Sequence, residues 1–297
     1  MATLLAGAAT DAGRAREQNE DAVRLAESVS PEVAERGFLA VVADGMGGHE
    51  RGEVASGLAV DALFETYYGG EGVADAADRL KRGYRAANEQ ITAQNAGETP
   101  GASMGTTMVA AAIVGDQLTV ANVGDSRAYL VRADAATQIT HDHSLVAEQV
   151  QAGVMTPEEA RESNHRNIIT RALGHRPRVD VDIFEIVLLP DDRVILCCDG
   201  VHGYLEPDEF ADITLKEPPE AASKTLIERA LERGSTDNVS AVVLAYEPAA
   251  ALAAAGAGAG PAAARRGLSL MLIVFVLAVV IAVVIIAVLF QTGTFFR

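Results

Sequence analysis

The feature that most constrains this chain is an uncharged apolar run near its C-terminal end. Leu268 to Phe290 contains no charged residue, and Ser269 is its only hydroxyl-bearing residue. As a helix rising about 1.5 Å per residue, these 23 residues would be roughly 34 Å long. That length crosses the hydrocarbon core of a bilayer. A buried helix of a globular domain can be this apolar but is seldom this long, so the run predicts a transmembrane helix.

The residues around this run predict how the chain is divided. Residues 1–247 are expected to form one folded domain. Residues 248–267 are rich in Ala and Gly, and the alternation at Gly256 to Gly260, followed by Pro261, is typical of a flexible linker. Residues 291–297 are too few to fold alone, so we interpret them as a short tail.

The orientation of the predicted helix follows from its flanks. Arg265 and Arg266 precede it and favour a cytoplasmic position for the preceding domain, although Arg297 on the far side weakens the charge asymmetry. Met1 to Thr10 has neither a basic segment nor an apolar segment long enough for a signal peptide. We therefore expect a single-pass protein of the cell membrane whose N-terminal domain is cytoplasmic.

Charge and cysteine content exclude several classes of protein. The formal net charge is −17, which argues against nucleic acid as a partner because phosphate backbones require clustered Lys and Arg. The only cysteines, Cys197 and Cys198, are adjacent. On a strand their side chains would point to opposite faces, so they predict neither a disulfide framework nor a zinc motif.

Residues 1–247 alternate short apolar runs with helical patterns, which predicts an α+β domain in which consecutive strands form antiparallel pairs. The predicted strands are Ala22–Leu25, Phe38–Ala43, Met108–Val114, Gln117–Asn122, Arg127–Val131, Arg193–Cys198 and Val239–Tyr246. The predicted helices are Gly52–Tyr68, Val73–Ala96, Ser144–Ala152, Pro157–Ser163 and Pro219–Arg233. Thr156 to Glu159 has the pattern of a capping box with Pro at the first helical position.

Acidic residues stand at one end of several predicted strands. The residues concerned are Glu20 and Asp21, Asp44, Asp125, Asp199 and Asp237. Any single Asp-Gly pair is most simply a turn. As a set, strand ends at one sheet edge converge, and carboxylates gathered there repel each other unless cations neutralise them. Oxygen ligands without sulfur select hard ions such as Mg²⁺ or Mn²⁺.

Two such ions suit phosphoryl hydrolysis. Ions about 3.5–4 Å apart share a water and lower its pKa, so that it can attack phosphorus in line. The substrate phosphate would also favour an Arg, because the planar guanidinium matches its oxygens. Arg16 lies four residues before Glu20 and is the candidate, the alternative being an ordinary surface Arg.

At this point the sequence resembles a known family, the PPM or type-2C metal-dependent serine/threonine protein phosphatases, in their bacterial form. The resemblance covers about residues 3–247 and rests on five blocks in the family's order. The blocks are Arg16-Glu17-Gln18-Asn19-Glu20-Asp21, Asp44-Gly45-Met46-Gly47-Gly48-His49, Gly105-Thr106-Thr107, Val123-Gly124-Asp125-Ser126-Arg127, and Cys198-Asp199-Gly200 with Asp237-Asn238.

The resemblance implies a four-layer α-β-β-α sandwich of two antiparallel sheets flanked by helices. By motif, Asp44 resembles the ligand that bridges two Mn²⁺ or Mg²⁺ ions. Asp199 and Asp237 resemble the other carboxylates of the first ion. The Gly45 carbonyl and Glu20, directly or through water, resemble ligands of the second ion.

Further roles are implied in the same way. Asp125 resembles a ligand of a third, weaker ion shared with Asp199, to which Asn167 would offer its backbone carbonyl. Asp21 would hydrogen-bond coordinated water, and Arg16 resembles the phosphate-binding Arg. Residues 141–174 resemble the family's flap, which lies beside the active site.

The sequence departs from the animal-type pattern at two places. Met46 stands where that pattern has a His proposed as general acid, so a metal-bound water or His49 would have to supply the proton. His202 follows Asp199-Gly200-Val201 where the family often has other residues, and we hypothesise that it titrates with catalysis.

The resemblance predicts phosphoserine and phosphothreonine proteins as substrates. A membrane-bound serine/threonine kinase would be among the partners, and the catalytic domain would be monomeric. Two other hypotheses remain: an inactive relative that binds phosphoproteins, and a structural membrane protein whose Asp-Gly pairs are only turns. The first would lack one or more metal-binding Asp residues. The second would show no dependence on divalent ions.

Overall fold

The computed structural model describes residues 3–28, 30–47, 51–69, 75–97 and 103–247. All strands there pair antiparallel, as predicted. The strands are β1 Thr3–Asp11, β2 Asp21–Leu25, β3 Phe38–Met46, β4 Gly105–Thr106, β5 Met108–Val114, β6 Gln117–Val123, β7 Arg127–Arg132, β8 Ala135–Gln138, β9 Asp182–Val187, β10 Arg193–Cys197 and β11 Val239–Glu247. The helices are α1 Pro31–Arg36, α2 Arg51–Gly69, α3 Ala76–Gln94, α4 Leu145–Gln151, α5 Pro157–Glu162, α6 Asp199–His202, α7 Pro207–Lys216 and α8 Pro219–Glu232.

The strands form two sheets that contact each other face to face. One has the order β1-β11-β10-β7-β8, and the other β2-β3-β5-β6-β9 with β4 paired to β3. Strands β10 and β11 contact β2, β3 and β5 across the interface. Helices α7 and α8 cover the first sheet, and α2 and α3 cover the second. The expected four-layer α+β sandwich is therefore present.

Burial on both faces explains why the central strands were predicted from sequence. Strands β3, β5, β6, β10 and β11 each have a sheet on one side and a helix layer on the other. Almost every residue along them is buried. A strand buried on both faces has a continuous apolar run rather than an alternating one. The bounds differ from the predictions chiefly at β3, which continues through Asp44 to Met46.

Strand β1 was missed because its residues are small. It pairs with β11 over its whole length, yet it contains Ala6, Gly7, Ala8 and Ala9, which have weak strand preference. The cause is the close approach of α8, since a Cβ at Gly7 would overlap the backbone at the start of that helix. Strands β8 and β9, also missed, are edge strands with many exposed or half-buried residues.

The five predicted helices are confirmed with small changes of bounds. Thr156 and Glu159 form the predicted capping box at α5. Helix α7 was missed although Glu206 and Glu209 form a capping box with Pro207 at the first position. The short helices α1 and α6 were also missed.

Within the described ranges, none of the helices has the length and apolar character needed to span a bilayer. The chain divides into two units, Met1–Ala249 and Ala250–Arg297. The predicted linker (248–267), transmembrane helix (268–290) and tail (291–297) lie outside the described residues.

Candidate active site

The register between β2 and β3 brings two carboxylates together. Asp21 lies directly opposite Asp44 in this antiparallel pair. Residues opposite each other on neighbouring strands project to the same face of the sheet, with Cβ atoms about 5 Å apart. Here that face is the one toward the other sheet, so the pairing sets two acidic groups at the edge of the sandwich core.

The backbone around Asp44 is fixed by its neighbours. The Thr106 hydroxyl and the Thr107 N–H both donate to the Asp44 carbonyl, at 2.8 and 2.9 Å. Gly45 donates its N–H to the Glu20 carbonyl at 3.1 Å. A Cβ at Gly45 would overlap the carbonyl oxygens of Glu20 and Gly52, so only glycine fits there. The block Gly105-Thr106-Thr107 thus positions the residue that the sequence predicts as the bridging ligand.

Further Asp side chains converge on Asp44 from separate parts of the chain. Burial raises the pKa of the Asp44 carboxyl well above its usual range, and the charges of Asp21, Asp199, Asp125 and Asp237 raise it further. Burial and then the Asp237 charge raise the pKa of Asp199. Burial and then the Asp199 charge raise the pKa of Asp125 to about 8. The predicted carboxylates are therefore close enough to repel one another.

Asp21 shows that this cluster suits a cation. Its side chain is buried, and neither carboxylate oxygen has a hydrogen-bond partner among the described residues. Burial raises its pKa to about 7, against smaller opposing effects of the nearby Ser240 and Cys198 side chains. A buried carboxylate without a partner is costly, whereas a nearby divalent ion would offset the charge of the whole group. The donor set of carboxylate oxygens with the adjacent Gly45 carbonyl therefore fits hard divalent ions.

Arg16 and Glu20 lie at the outer side of the cluster. The Arg16 Nη2 is 2.8 Å from both carboxylate oxygens of Asp237. This ion pair is partly exposed, and the hydrogen bond to Asp237, with the charges of Asp237, Glu20 and Asp44, raises the pKa of the Arg16 guanidinium. Glu20 Oε1 accepts the N–H of Gly52 at 3.2 Å, in the first turn of α2.

Asn238 is a positioning residue whose role the sequence reasoning missed. Its Oδ1 accepts the Glu20 N–H, and its Nδ2 donates to the carbonyls of Ala12 and Gln18, each at 2.9 Å. One amide therefore fastens the loop that carries Arg16 to the start of β11. The Asp-Asn pair before an apolar run could have indicated this role, because the Asn side chain has both the N–H donors and the oxygen acceptor that these three hydrogen bonds use.

Two histidines hold the loop that carries Asp125. The Gly124 N–H donates to His143 Nδ1 at 2.9 Å, and His143 Nε2 lies 3.2 Å from Asp182 Oδ2. His202 Nε2 is 3.0 Å from the Asp125 carbonyl, which can only accept. Burial lowers the pKa of His202 to about 3. Burial and this contact with the backbone favour a neutral ring that donates to the carbonyl, and the hypothesis that His202 titrates with catalysis stays a prediction.

The structure describes two of the remaining residues, Asn167 and Met46, and shows no hydrogen bond of either with the acidic side chains. Asn167 lies in an exposed turn between α5 and the bridge that joins Ser144 to Ile169. Met46 ends β3, opposite Gly105. His49 lies outside the described residues. The roles predicted for Asn167 and His49 stay predictions.

Comparison with known proteins agrees with this geometry. The family model described as Protein phosphatase 2C matches residues 12–243, from the Arg16 loop to β11. The chain belongs to the protein phosphatase 2C family. Its acidic cluster therefore lies within a phosphatase domain of a metal-dependent family, and the expected family is confirmed.

Similar curated proteins agree with this assignment. The serine/threonine phosphatase stp of Listeria welshimeri is 35% identical over 240 residues, which are 79% of this chain and 93% of that protein. The serine/threonine protein phosphatase PstP of Mycobacterium tuberculosis is 38% identical over 238 residues, 80% of this chain and 44% of that protein. This phosphatase is accordingly a metal-dependent protein-serine/threonine phosphatase.

Solved structures match over the same region. A serine/threonine phosphatase of S. agalactiae has a TM-score of 0.74 and 31% identity, covering 83% of this chain and all of that one (100%). The catalytic domain of PstP in complex with two manganese ions has a TM-score of 0.72 and 35% identity, covering 84% and 100%. The fold of the phosphatase domain is therefore that of the family.

Proposed function

We propose that this phosphatase hydrolyses phosphoserine and phosphothreonine in proteins with two Mn²⁺ or Mg²⁺ ions. The observation that carries the proposal is the convergence of Asp21, Asp125, Asp199 and Asp237 on Asp44, where both Asp21 oxygens lack a hydrogen-bond partner in the part of the chain that the structure describes. Such a cluster is unfavourable unless divalent ions offset its charge.

The ligands follow from the position of each residue. Asp44, Asp199 and Asp237 would hold the first ion, with Asp44 shared. The Gly45 carbonyl and Glu20 would hold the second, since both lie where β3 ends and α2 begins. Asp125 and Asp199 would hold a third, weaker ion, and their mutual effect on pKa supports that pairing.

The reaction needs a nucleophile, a phosphate clamp and a proton donor. When bound, the two ions would lower the pKa of a shared water and offset charge on the transferring phosphoryl group. Arg16, half exposed beside Asp237, would bind the phosphate oxygens through its planar guanidinium. Asp21 would accept a hydrogen bond from water in the same site. Met46 cannot donate a proton, so water or His49 would protonate the leaving alcohol.

A phosphothreonine peptide assay on the full chain in detergent tests this. We expect phosphate release with Mn²⁺ or Mg²⁺, none in EDTA, and no activity in Asp44→Ala or Asp237→Ala. The control is Asp134→Ala, an exposed turn residue away from the cluster, which should leave the rate unchanged. Equal activity in EDTA, or metal-dependent phosphopeptide binding without hydrolysis, would exclude the reaction.

We further propose that residues 268–290 anchor the phosphatase in the cell membrane with its monomeric catalytic domain in the cytoplasm. The uncharged run and the preceding Arg265 and Arg266 support this. Tethering would raise the local concentration of the phosphatase near membrane-bound serine/threonine kinases and their substrates, which we propose as its partners.

Fractionation of cells tests the anchor. The full chain should sediment with membranes and resist extraction by alkaline carbonate, whereas a chain ending at residue 247 should be found in the supernatant with unchanged rates on peptides. Recovery of the full chain in the supernatant would refute the anchor without affecting the catalytic proposal.

A further inference from the structure

A thiol lies against the metal centre at the end of β10. A carboxylate oxygen of Asp21, one of Asp44 and the Sγ of Cys198 all lie within 4.8 Å of one another. The Ser240 N–H donates to the Cys198 Sγ at 3.2 Å, and the thiol lies 3.5 Å from the Asn238 carbonyl, to which it can donate. These contacts orient the sulfur beside the two carboxylates.

A second observation indicates a ligand at this position. Asp21 is 8% exposed, and both of its oxygens lack a hydrogen-bond partner among the described residues. Asp21 is aimed at the same space as Cys198 and Asp44. Two carboxylates with one thiolate form a mixed oxygen and sulfur donor set, which is typical of Zn²⁺ rather than of Mg²⁺ or Mn²⁺.

We propose that Asp21, Asp44 and Cys198 form a binding site for a thiophilic divalent cation such as Zn²⁺ or Cd²⁺. Binding exchanges the thiol proton for the ion: the S–H bond breaks, a metal–sulfur bond forms, and one H⁺ is released to solvent. The Ser240 N–H remains as a donor to the thiolate, which is the support from outside the ligand shell that such sites use.

The site has a consequence for catalysis, which rests on the proposed function. Asp44 is needed both by this site and by the two catalytic ions, so a thiophilic ion bound here would compete with Mn²⁺. Zn²⁺ and Cd²⁺ would therefore inhibit the Mn²⁺-supported reaction. Because the binding itself does not depend on the reaction, it can be measured separately.

Cys197 provides a matched control. It is equally buried and adjacent in sequence, but neighbouring residues on a strand project to opposite faces. The charges that act on the pKa of Cys197 are those of Arg127, Asp142 and Asp199, and neither Asp21 nor Asp44 is among them. Cys197→Ser therefore removes a buried thiol without removing a donor from the site.

Titration of the chelator-treated full chain with Co²⁺, a spectroscopic substitute for Zn²⁺, tests the site. We expect a near-ultraviolet thiolate-to-cobalt charge-transfer band in the wild type and in Cys197→Ser, its loss in Cys198→Ser, and its displacement by Zn²⁺. Loss of an outer partner of a metal ligand costs about 10- to 100-fold in affinity, so Asp21→Asn should weaken Co²⁺ binding at least as much. A band that persists in Cys198→Ser, or no band in the wild type, would overturn the proposal.

Inhibition gives an independent readout. The Zn²⁺ concentration that halves each variant's own Mn²⁺-supported rate should rise about 10-fold or more in Cys198→Ser and stay constant in Cys197→Ser. If Cys198→Ser does not fold by circular dichroism, Cys198→Ala and Asp21→Asn replace it. A cobalt band in a chain without phosphatase activity would support the thiophilic site and contradict the proposed function. Phosphatase activity without a cobalt band would support the proposed function and contradict the thiophilic site.

Discussion

The domain buries carboxylates in two different ways. Away from the acidic cluster around Asp44, Asp192 is 2% exposed and accepts from Arg132 Nε and Nη2 at 3.0 and 2.7 Å and from the Leu189 N–H at 2.7 Å. In the acidic cluster, Asp21 is similarly buried and has no such partner among the described residues. A buried Asp carboxylate therefore has its hydrogen bonds supplied by the protein in one region and lacks them in the other.

This difference locates the functional region on physical grounds. A buried carboxylate is stable when an Arg and a backbone N–H bind it, and Asp192 shows that this fold can supply both. Asp142 likewise accepts from the guanidinium of Arg127. Around Asp44, neighbouring Asp residues instead raise one another's pKa. A bound cation would offset this cost. Asp237 is intermediate between these two cases, since it belongs to the cluster but pairs with Arg16 at the cluster's exposed rim.

Asp44→Asn should have the largest effect on the acidic cluster. We expect a loss of Mn²⁺-supported activity of more than about 100-fold, because a bridging ligand matters more than an outer one. Its stability without metal should be equal to or above that of the wild type, since the change removes repulsion from the cluster. Phosphopeptide hydrolysis and thermal unfolding in EDTA measure the two effects. If Asp44→Asn were less stable than the wild type in EDTA, the acidic side chains of this region would not be repelling one another as described.

Arg16→Ala should have the next largest effect. Hydrogen bonds to charged groups contribute about 1.5–3 kcal/mol, so kcat/KM should fall about 10- to 100-fold. Arg14→Ala, an exposed residue of the same loop, is the control and should retain the wild-type value. A change no larger than that of Arg14→Ala would remove Arg16 from the site.

Asp192→Ala tests the paired region. It leaves Arg132 without its partner, but the Arg side chain is 40% exposed and can be hydrated. We expect a loss of about 1–3 kcal/mol in the free energy of unfolding by urea. Activity of the folded protein should be unchanged, because Asp192 lies outside the metal centre. A stability loss from Asp44→Asn equal to this one would erase the distinction between the two regions.

The smallest effect is the pH dependence of stability in EDTA. The pKa of Asp21 is raised from 3.8 to about 7 and that of Asp125 from 3.8 to about 8. The folded state therefore holds protons that the unfolded state has released. The stabilisation of the folded state by these bound protons is complete below about pH 4 and is lost as the pH rises through about 7 to 8.

We accordingly expect the Tm in EDTA to fall by at least about 2–4 °C across this window. Saturating Mn²⁺ should abolish or reverse the fall, since the ion binds the deprotonated carboxylates. A Tm in EDTA that rises with pH over the same range would contradict the assigned shifts.

Sequence alone predicted the centre of the sandwich because strands such as β3 and β5, buried on both faces, have uninterrupted apolar runs. Strand β1 escaped detection because the close approach of α8 allows only small residues such as Gly7. Edge strands β8 and β9 escaped because exposure leaves their composition less constrained.

The site was predicted to a similar extent. Acidic residues at strand ends indicated Asp44, Asp199 and Asp237, but periodicity could not supply the register that sets Asp21 opposite Asp44. Contacts between segments far apart in the sequence could not be predicted either. Examples are Asn238 with Glu20 and Cys198 with Asp21, which depend on how the sheets meet rather than on any local pattern.

The pairing of β1 with β11 has a consequence for biosynthesis. Strand β1 can pair only after β11 has been synthesised, and the ion pair between Arg16 and Asp237 joins residues 221 positions apart in the sequence. A nascent chain therefore cannot assemble a competent catalytic centre until the final strand has left the ribosome. Premature termination anywhere before β11 would yield an inert polypeptide rather than an unregulated phosphatase.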